Sequence, residues 1–111
     1  MKLDNTIAQM RKGLLELCVL SIISGEEMYP SDIIGKLKDQ KMIIVEGTLY
    51  PMLTRLKNDG LLDYDWKESK TGPPRKYYKI TDQGKSIRDE LINTWQELSN
   101  SVNSTISEIK K

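Results

Sequence analysis

The sequence has no histidine and a single cysteine, Cys18, among its 111 residues. Histidine is the commonest general base and transition-metal ligand, and one thiol forms neither an internal disulfide nor a multi-cysteine metal site. The sequence also lacks a glycine-rich phosphate loop and any motif that pairs two carboxylates. The usual acid–base, nucleophilic and metal-dependent sites therefore lack their parts, and we expect a protein that is not an enzyme and uses no metal or cofactor.

Long apolar runs are absent as well. No run reaches the roughly 18 residues that a membrane-spanning helix needs, and no basic segment followed by an apolar one marks the N-terminus as a secretion signal. A lone cysteine suits a reducing compartment, and the apolar run LLELCVLSII around Cys18 indicates a buried, inert thiol. With 38% hydrophobic and 30% charged residues, the composition predicts one globular core, in a protein that we expect to be cytoplasmic.

The formal net charge is only +1, but the positive charges are concentrated in one stretch. Residues 66–79 contain five cations and one anion, Glu68, which gives 5 − 1 = +4 and leaves −3 for the rest of the chain. These five cations, called the basic patch below, are Lys67, Lys70, Arg75, Lys76 and Lys79. A basic patch on a nearly neutral chain predicts contact with phosphate groups over a limited area, because each neutralised phosphate releases counterions.

The segment EGTLYPMLTRLKNDG, residues 46–60, has the spacing of a helix. Leu49, Leu53 and Leu56 recur at intervals of four and three and predict one buried face. Five other side chains of this helix point away from the buried face: Thr48, Tyr50, Met52, Arg55 and Lys57. Pro51 allows a start near Glu46 or near Thr48, and we favour Thr48 because proline is tolerated in the first turn of a helix.

Two strand-like segments follow this helix. LLDYDWKE and RKYYKIT are rich in aromatic and alternating residues, and SKTGPP separates them, so we expect a β-ribbon with a loop tip at Gly72, Pro73 and Pro74. Successive side chains on a strand point to opposite faces, so Tyr77 and Tyr78 must face opposite sides and one of them should be buried.

Two helices are expected before this segment. The first runs from Asp4 to Ser24, is capped by Asp4 or Asn5, and carries an apolar stripe at Ile7, Met10, Leu14, Leu17 and Ile22. Its second half is apolar almost all round, so we expect cover on several sides; the residues that widen the apolar surface are Leu15, Cys18, Val19, Leu20 and Ile23. The second opens at Tyr29-Pro30-Ser31-Asp32, with Ile33, Ile34 and Leu37 on its buried face. The second predicted helix and the helix at 46–60 are joined by a short connection and followed by a β-ribbon, which is the winged helix-turn-helix arrangement.

The chain ends in one long predicted helix that starts at Asp82, with Thr81 or Asp82 as its cap. Its apolar residues advance by four, four, three, four, four and three: Ile87, Leu91, Trp95, Leu98, Val102, Ile106 and Ile109. This is a coiled-coil seam on a helix of roughly 40 Å, too long for one small domain to cover. We therefore expect a homodimer with Ile87, Leu91, Trp95, Leu98 and Val102 in the interface.

The predicted fold class is mainly α with a small β-ribbon. Residues 1–81 form the winged helix-turn-helix domain, whose first helix also enters the dimer interface, and residues 82–111 form a C-terminal dimerisation helix.

Several of these segments resemble the PadR family of bacterial transcriptional regulators, in its short form. The resemblance lies in GTLYPML at 47–53 with Arg55-Leu56, in Gly60-Leu61-Leu62, and in RKYYKIT at 75–81 with Gly84. It covers essentially the whole chain and departs at Tyr29-Pro30-Ser31, where the family commonly has a Tyr or Gly followed by an aromatic residue. It implies a homodimeric repressor that binds near-palindromic operator DNA.

The resemblance divides the expected DNA contacts into two sets. Thr48, Tyr50 and Arg55 would meet base edges or adjacent phosphates from the major groove, whereas Lys67, Lys70, Arg75 and Lys76 on the ribbon would meet the backbone. The alternative is a winged-helix adaptor that uses the same surface to bind protein and does not recognise a DNA sequence.

The resemblance also points to a ligand. In the multidrug-sensing branch of the family, a tryptophan at what looks like the place of Trp95 stacks on planar aromatic compounds between the subunits. By analogy, a small aromatic effector would contact Met10, Leu14 and Trp95 and release the operator. A tryptophan in a dimer seam is also commonly a packing residue, so the sequence leaves both roles open.

Overall fold

The computed structural model describes residues 2–109 and has four helices and one two-stranded antiparallel ribbon. In chain order the elements are α1 (Leu3–Gly25), α2 (Pro30–Asp39), α3 (Glu46–Asn58), β1 (Leu62–Ser69), β2 (Gly72–Ile80) and α4 (Asp82–Ile109). This is the predicted class, mainly α with a small β-ribbon and a long C-terminal helix. No helix within the described residues is long and apolar enough to cross a membrane.

The buried residues of α1 are those that widen its apolar surface and not those of the predicted stripe. The buried residues of α1 are Leu15, Val19, Leu20 and Ile23. Met10, expected in the stripe, is 71% exposed, and the other four stripe residues are only half-buried. The second half of α1 packs against α2, β2 and α4, whereas its first half projects beyond them. A helix that is apolar almost all round leaves the choice of buried side to its neighbours.

The first turns of α1 and α4 differ in whether a side chain caps the helix. Helix α1 begins at Leu3 and has no side-chain cap, so the predicted caps at Asp4 or Asn5 are wrong. Of the two candidates for α4, Thr81 is the cap, because its Oγ1 accepts a hydrogen bond from the Gly84 N–H at 2.9 Å. In α1, Cys18 is only half-buried, whereas the apolar run around it predicted a buried thiol. Its partial burial still raises the pKa of the thiol and disfavours the reactive thiolate.

Helix α3 begins at Glu46, two residues before the start that we favoured. The N–H groups of Thr48 and Leu49 both donate to the Val45 carbonyl oxygen at 3.0 Å, so the first turn is complete before Pro51. Pro51 then lies in the second turn, where its only direct loss is the N–H that would have bonded to Gly47. The three predicted core leucines are buried, and Met52, expected elsewhere, is buried with them.

The ribbon is longer and its tip shorter than predicted. Strand β2 begins at Gly72, so Pro73 and Pro74 lie in the strand and only Lys70 and Thr71 remain in the turn. Both strands of a two-stranded ribbon are edges, and an edge tolerates proline where no ladder hydrogen bond is needed. Tyr78 is buried and Tyr77 is half-buried, which confirms their opposite orientation.

The base of the ribbon is fixed to the helices at Met28, in the turn before α2. The Met28 N–H donates to the Tyr78 carbonyl at 3.0 Å, and the Tyr78 N–H donates to the Met28 carbonyl at 2.8 Å. The ribbon is therefore held beside α2 and α3 by backbone hydrogen bonds as well as by the buried Tyr78 ring.

Candidate nucleic-acid interface

The exposed surface of α3 has two edges that face different neighbours. At 100° per residue, Tyr50 and Thr54 lie on the edge beside the ribbon, and Thr48 and Arg55 lie on the edge beside α1. Leu49 and its buried partners occupy the opposite side of the helix. The three α3 residues predicted to contact DNA are all exposed, but they do not form a single cluster.

The ribbon-side edge of α3 borders an open groove of about 440 Å³. Its lining residues come from α2, α3 and both strands: Pro30, Tyr50, Thr54, Trp66, Pro74, Arg75, Lys76 and Tyr78. This groove brings the predicted Tyr50, Arg75 and Lys76 together. It also contains Thr54, which sequence reasoning missed although its position four residues after Tyr50 puts the two on the same helix face.

Arg75 is held in place by uncharged groups at the start of α2. Its Nη2 donates a hydrogen bond to Ser31 Oγ at 2.8 Å, and its guanidinium carbon lies 4.1 Å from the centroid of the Tyr29 ring. Tyr29 in turn makes an edge contact with Tyr77, with 4.6 Å between ring centroids. Because neither contact neutralises the guanidinium, Arg75 keeps its charge while losing conformational freedom.

Sequence reasoning missed these supports of Arg75. Tyr29 and Ser31 fall in the segment where the resemblance described above departs from its pattern. That departure was the only available signal, because 44 residues separate Ser31 from Arg75.

Lys76 is similarly surrounded by aromatic rings. Its Nζ lies 4.6 Å from the Tyr64 ring centroid and 5.5 Å from that of Trp66, which is its partner across the strands. Trp66 is 60% exposed, so this end of the ribbon presents an aromatic surface with a cation above it.

Other members of the basic patch are paired with acids. Lys67 forms an ion pair with Glu27 at 3.6 Å, and its Nζ lies 4.1 Å from the Tyr77 ring centroid. Lys79 bonds to Asp65 at 3.2 Å, and this hydrogen bond raises the pKa of Lys79. Within residues 2–109, Lys70, Arg75 and Lys76 make no ion pair, so these three carry the unneutralised charge of the patch.

Arg55 is separate from the ribbon groove. Its Nη2 forms an ion pair with the Glu16 carboxylate of α1. Both residues line a second open groove of about 700 Å³ between α1 and α3, which Thr48 also borders. Thr48 and Arg55 are thus grouped with α1, whereas Tyr50 is grouped with the ribbon.

The residues predicted for the dimer interface differ in their surroundings within the single chain. Ile87 and Leu91 pack against the subunit's own core. Farther along α4, Trp95 is 43% exposed, and Leu98 and Val102 are each 54% exposed. The distal part of the seam is therefore left about half exposed by the single chain. Of the residues predicted to contact an effector, Met10 and Trp95 are exposed and Leu14 is half-buried.

Comparison with known proteins connects this arrangement to a family. Residues 19–90 match the model of the Transcriptional regulator PadR-like family. A PadR-like transcription factor structure from Bacteroides fragilis is 57% identical, with a TM-score of 0.76, and the match covers 90% of this chain and 97% of the other. A PadR-like transcriptional regulator from Bacillus cereus is 40% identical, with a TM-score of 0.77, and the match covers 88% and 96% of the two chains.

A PadR family transcriptional regulator from Eggerthella lenta is 32% identical, with a TM-score of 0.86, and the match covers 93% of this chain and 90% of the other. The family match spans more than half of the chain, and these neighbours are transcriptional regulators rather than enzymes, which confirms the predicted fold and class. The chain belongs to the PadR-like family of DNA-binding transcriptional regulators.

Proposed function

We propose that the protein is a homodimeric repressor that binds a near-palindromic operator. Helix α3 would enter the major groove, and the ribbon would contact the flanking phosphates. The observation that carries this proposal is the groove shared by Tyr50, Arg75 and Lys76. An exposed helix face and two cations that form no ion pair in the described part of the chain border the same open surface. A helix fits the major groove of B-DNA, which is about 12 Å wide.

The contacts divide by chemistry. Tyr50, Thr54 and Thr48 offer hydroxyl groups that both donate and accept hydrogen bonds, which suits base edges. Lys70, Arg75 and Lys76 offer positive charge along the ribbon, which suits phosphates and fixes the orientation of α3. Lys67 has to exchange Glu27 for a phosphate, so its contribution to affinity is smaller than that of Arg75.

The homodimer forms through α4. This helix has 28 residues, a length of about 42 Å, and its distal apolar residues are exposed in the single subunit. Pairing of two such helices, with α1 beside them, would cover this surface and set the distance between the two copies of α3. Half-sites recognised by a two-fold dimer lie about 34 Å apart, one turn of DNA. Residues 1–81 then serve as the DNA-binding unit and residues 82–111 as the dimerisation helix.

A small planar aromatic effector would enter between the subunits and stack on Trp95, near Met10 and Leu14, and would release the operator. Support for this part comes from the exposure of Trp95 and Met10 in the single subunit. The chain has two tryptophans, so a Trp66→Phe variant reports on Trp95 alone. Quenching of its fluorescence by a planar aromatic cation, together with loss of bound operator at the same ligand concentration, is the expected result.

The central proposal is tested by measuring how DNA affinity depends on salt concentration. The series spans the ionic strength of the cytoplasm, where we expect the protein to act. The probe is the duplex that wild-type protein enriches from a random pool, with a scrambled duplex as its control. The test variant is Lys70→Ala/Arg75→Ala/Lys76→Ala. Log affinity falls with log salt by about 0.9 per neutralised phosphate, so removal of six contacts per dimer should reduce the slope by up to about 5.

Lys85→Ala removes one positive charge per chain from the first turn of α4, outside the ribbon. As a single-charge control it should keep the wild-type slope, whereas each of the three ribbon changes should lower it. An unchanged slope in the triple variant, or the absence of any enriched duplex, would argue for the protein-binding adaptor instead.

A further inference from the structure

Arg55, on the helix that we propose enters the major groove, forms an ion pair with Glu16 of α1. Both side chains remain accessible to solvent: that of Arg55 is 52% exposed and that of Glu16 is 34% exposed. The pair lies beside the open groove between α1 and α3. A phosphate approaching this edge of α3 can therefore reach the guanidinium, but it must compete with a carboxylate.

The two arginines of the proposed interface are restrained in opposite ways. Arg75 is held by Ser31 and the Tyr29 ring, which leave its charge available. Arg55 is held by an anion, so its charge is already neutralised in the free protein. Thr48 lies two helical turns before Arg55 on the same edge of α3, and any duplex seated against Thr48 brings its backbone towards Arg55.

We propose that Glu16 is a positioning residue that competes with DNA for Arg55, and that operator binding transfers the guanidinium from this carboxylate to a backbone phosphate. The proposal rests on the proposed placement of α3 against DNA. An exposed ion pair is weak and is screened by salt, whereas an arginine–phosphate contact is bidentate and releases a condensed counterion. The transfer therefore favours the complex, and Glu16 lowers the affinity that Arg55 would otherwise give.

The test is a double-mutant cycle in operator affinity, measured with the duplex enriched by the wild-type protein. Glu16→Gln removes the competing charge and keeps a good helix former, so it should raise affinity roughly 2- to 30-fold for a dimer with two such pairs. In an Arg55→Gln background the same change should have no effect. Arg55→Gln alone should reduce the salt slope by about 2 per dimer.

Two further variants separate direct competition from a general electrostatic effect. Glu46→Gln removes an exposed carboxylate from the first turn of α3, and Glu46 forms no ion pair within the described residues. Any gain from Glu46→Gln should be the same with and without Arg55. Glu16→Asp keeps the charge but shortens the side chain by one methylene, so a gain in affinity from this variant supports direct contact.

Equal gains from Glu16→Gln in the wild-type and Arg55→Gln backgrounds would overturn the proposal, as would a loss of affinity that depends on Arg55. The Lys70/Arg75/Lys76 variant is measured in the same salt series. If that variant keeps the wild-type slope, the proposed function fails. If its slope falls while the Glu16 effect is independent of Arg55, only the present inference fails.

Discussion

Leu98→Asp should convert the proposed dimer to a monomer and abolish operator binding. Leu98 is the best probe of the seam because it is 54% exposed and lies between Trp95 and Val102 on the uncovered part of α4. Leu91 would be a poorer probe, because it packs against the core of its own subunit and its loss would also affect folding. A substitution in the distal part of the seam should therefore weaken dimerisation without removing a contact in the core.

The size of the effect follows from the exposed fraction of Leu98. Complete burial of a leucine stabilises by about 1.5–3 kcal/mol, so covering the exposed half contributes about 1 kcal/mol per subunit and about 2 kcal/mol per dimer. Placing two carboxylates in the closed seam adds a desolvation cost of at least about 1–2 kcal/mol each, since a charge costs more to bury than a neutral polar group. The total is at least about 4 kcal/mol, which weakens dimerisation by roughly 10³-fold or more.

Sedimentation velocity over a concentration series measures this change, and circular dichroism verifies that the helices are retained. Asn100→Asp is the control, since it adds the same charge on the exposed polar side of α4, about half a turn from the seam. The control should remain dimeric and bind operator. A Leu98→Asp protein that keeps its helices and sediments like wild type at equal concentration would refute the reasoning.

Three further predictions concern stability. A Cβ on Gly84 would lie 2.7 Å from Ile80 Cγ1 and nearer still to a backbone carbonyl oxygen, so Gly84→Ala should lower the free energy of unfolding by about 1–3 kcal/mol in urea titration; wild-type stability would contradict this close packing. Thr81→Val removes the acceptor for the Gly84 N–H and should lower the free energy of unfolding by about 1 kcal/mol in the same titration. Unchanged stability would show that the cap is not needed. Burial raises the pKa of Tyr78 above its ordinary value of 10.0, so its contribution to stability is complete below pH 10.0 and is lost as pH rises through the folded pKa. Tyr78→Phe should therefore flatten the fall in unfolding free energy above pH 10.0, and an unchanged pH profile would count against this burial effect.

The elements that the sequence predicted best are those defined by local spacing. Leu49, Leu53 and Leu56 identified the buried face of α3, because residues three and four apart on a helix share a face whatever surrounds them. The alternation at Tyr77 and Tyr78 likewise predicted that the two rings face opposite sides and that one of them is buried, and Tyr78 is the buried one. Such features need only the geometry of a single element.

Predictions failed where a neighbouring element decides the outcome. Pro73 and Pro74 were assigned to a loop, yet they continue β2 because the ribbon leaves them on an open edge. The stripe containing Met10 was chosen on a helix that is apolar almost all round, and the packing of α2, β2 and α4 selected another side. Neither outcome can be derived from spacing within the element itself.

Neighbouring elements also decide which cations of the candidate interface are neutralised. The sequence identifies where cations are concentrated but not which of them are neutralised, because their partners lie far away along the chain. Arg75 meets an uncharged serine hydroxyl, Lys67 meets Glu27, and Arg55 meets Glu16. A count of +4 over residues 66–79 therefore overstates the charge available to DNA there, since two of the five cations have acidic partners. The fold adds which cations are paired: within the described residues Arg75 and Lys76 form no ion pair, whereas Lys67 and Arg55 would each have to leave a carboxylate before binding a phosphate.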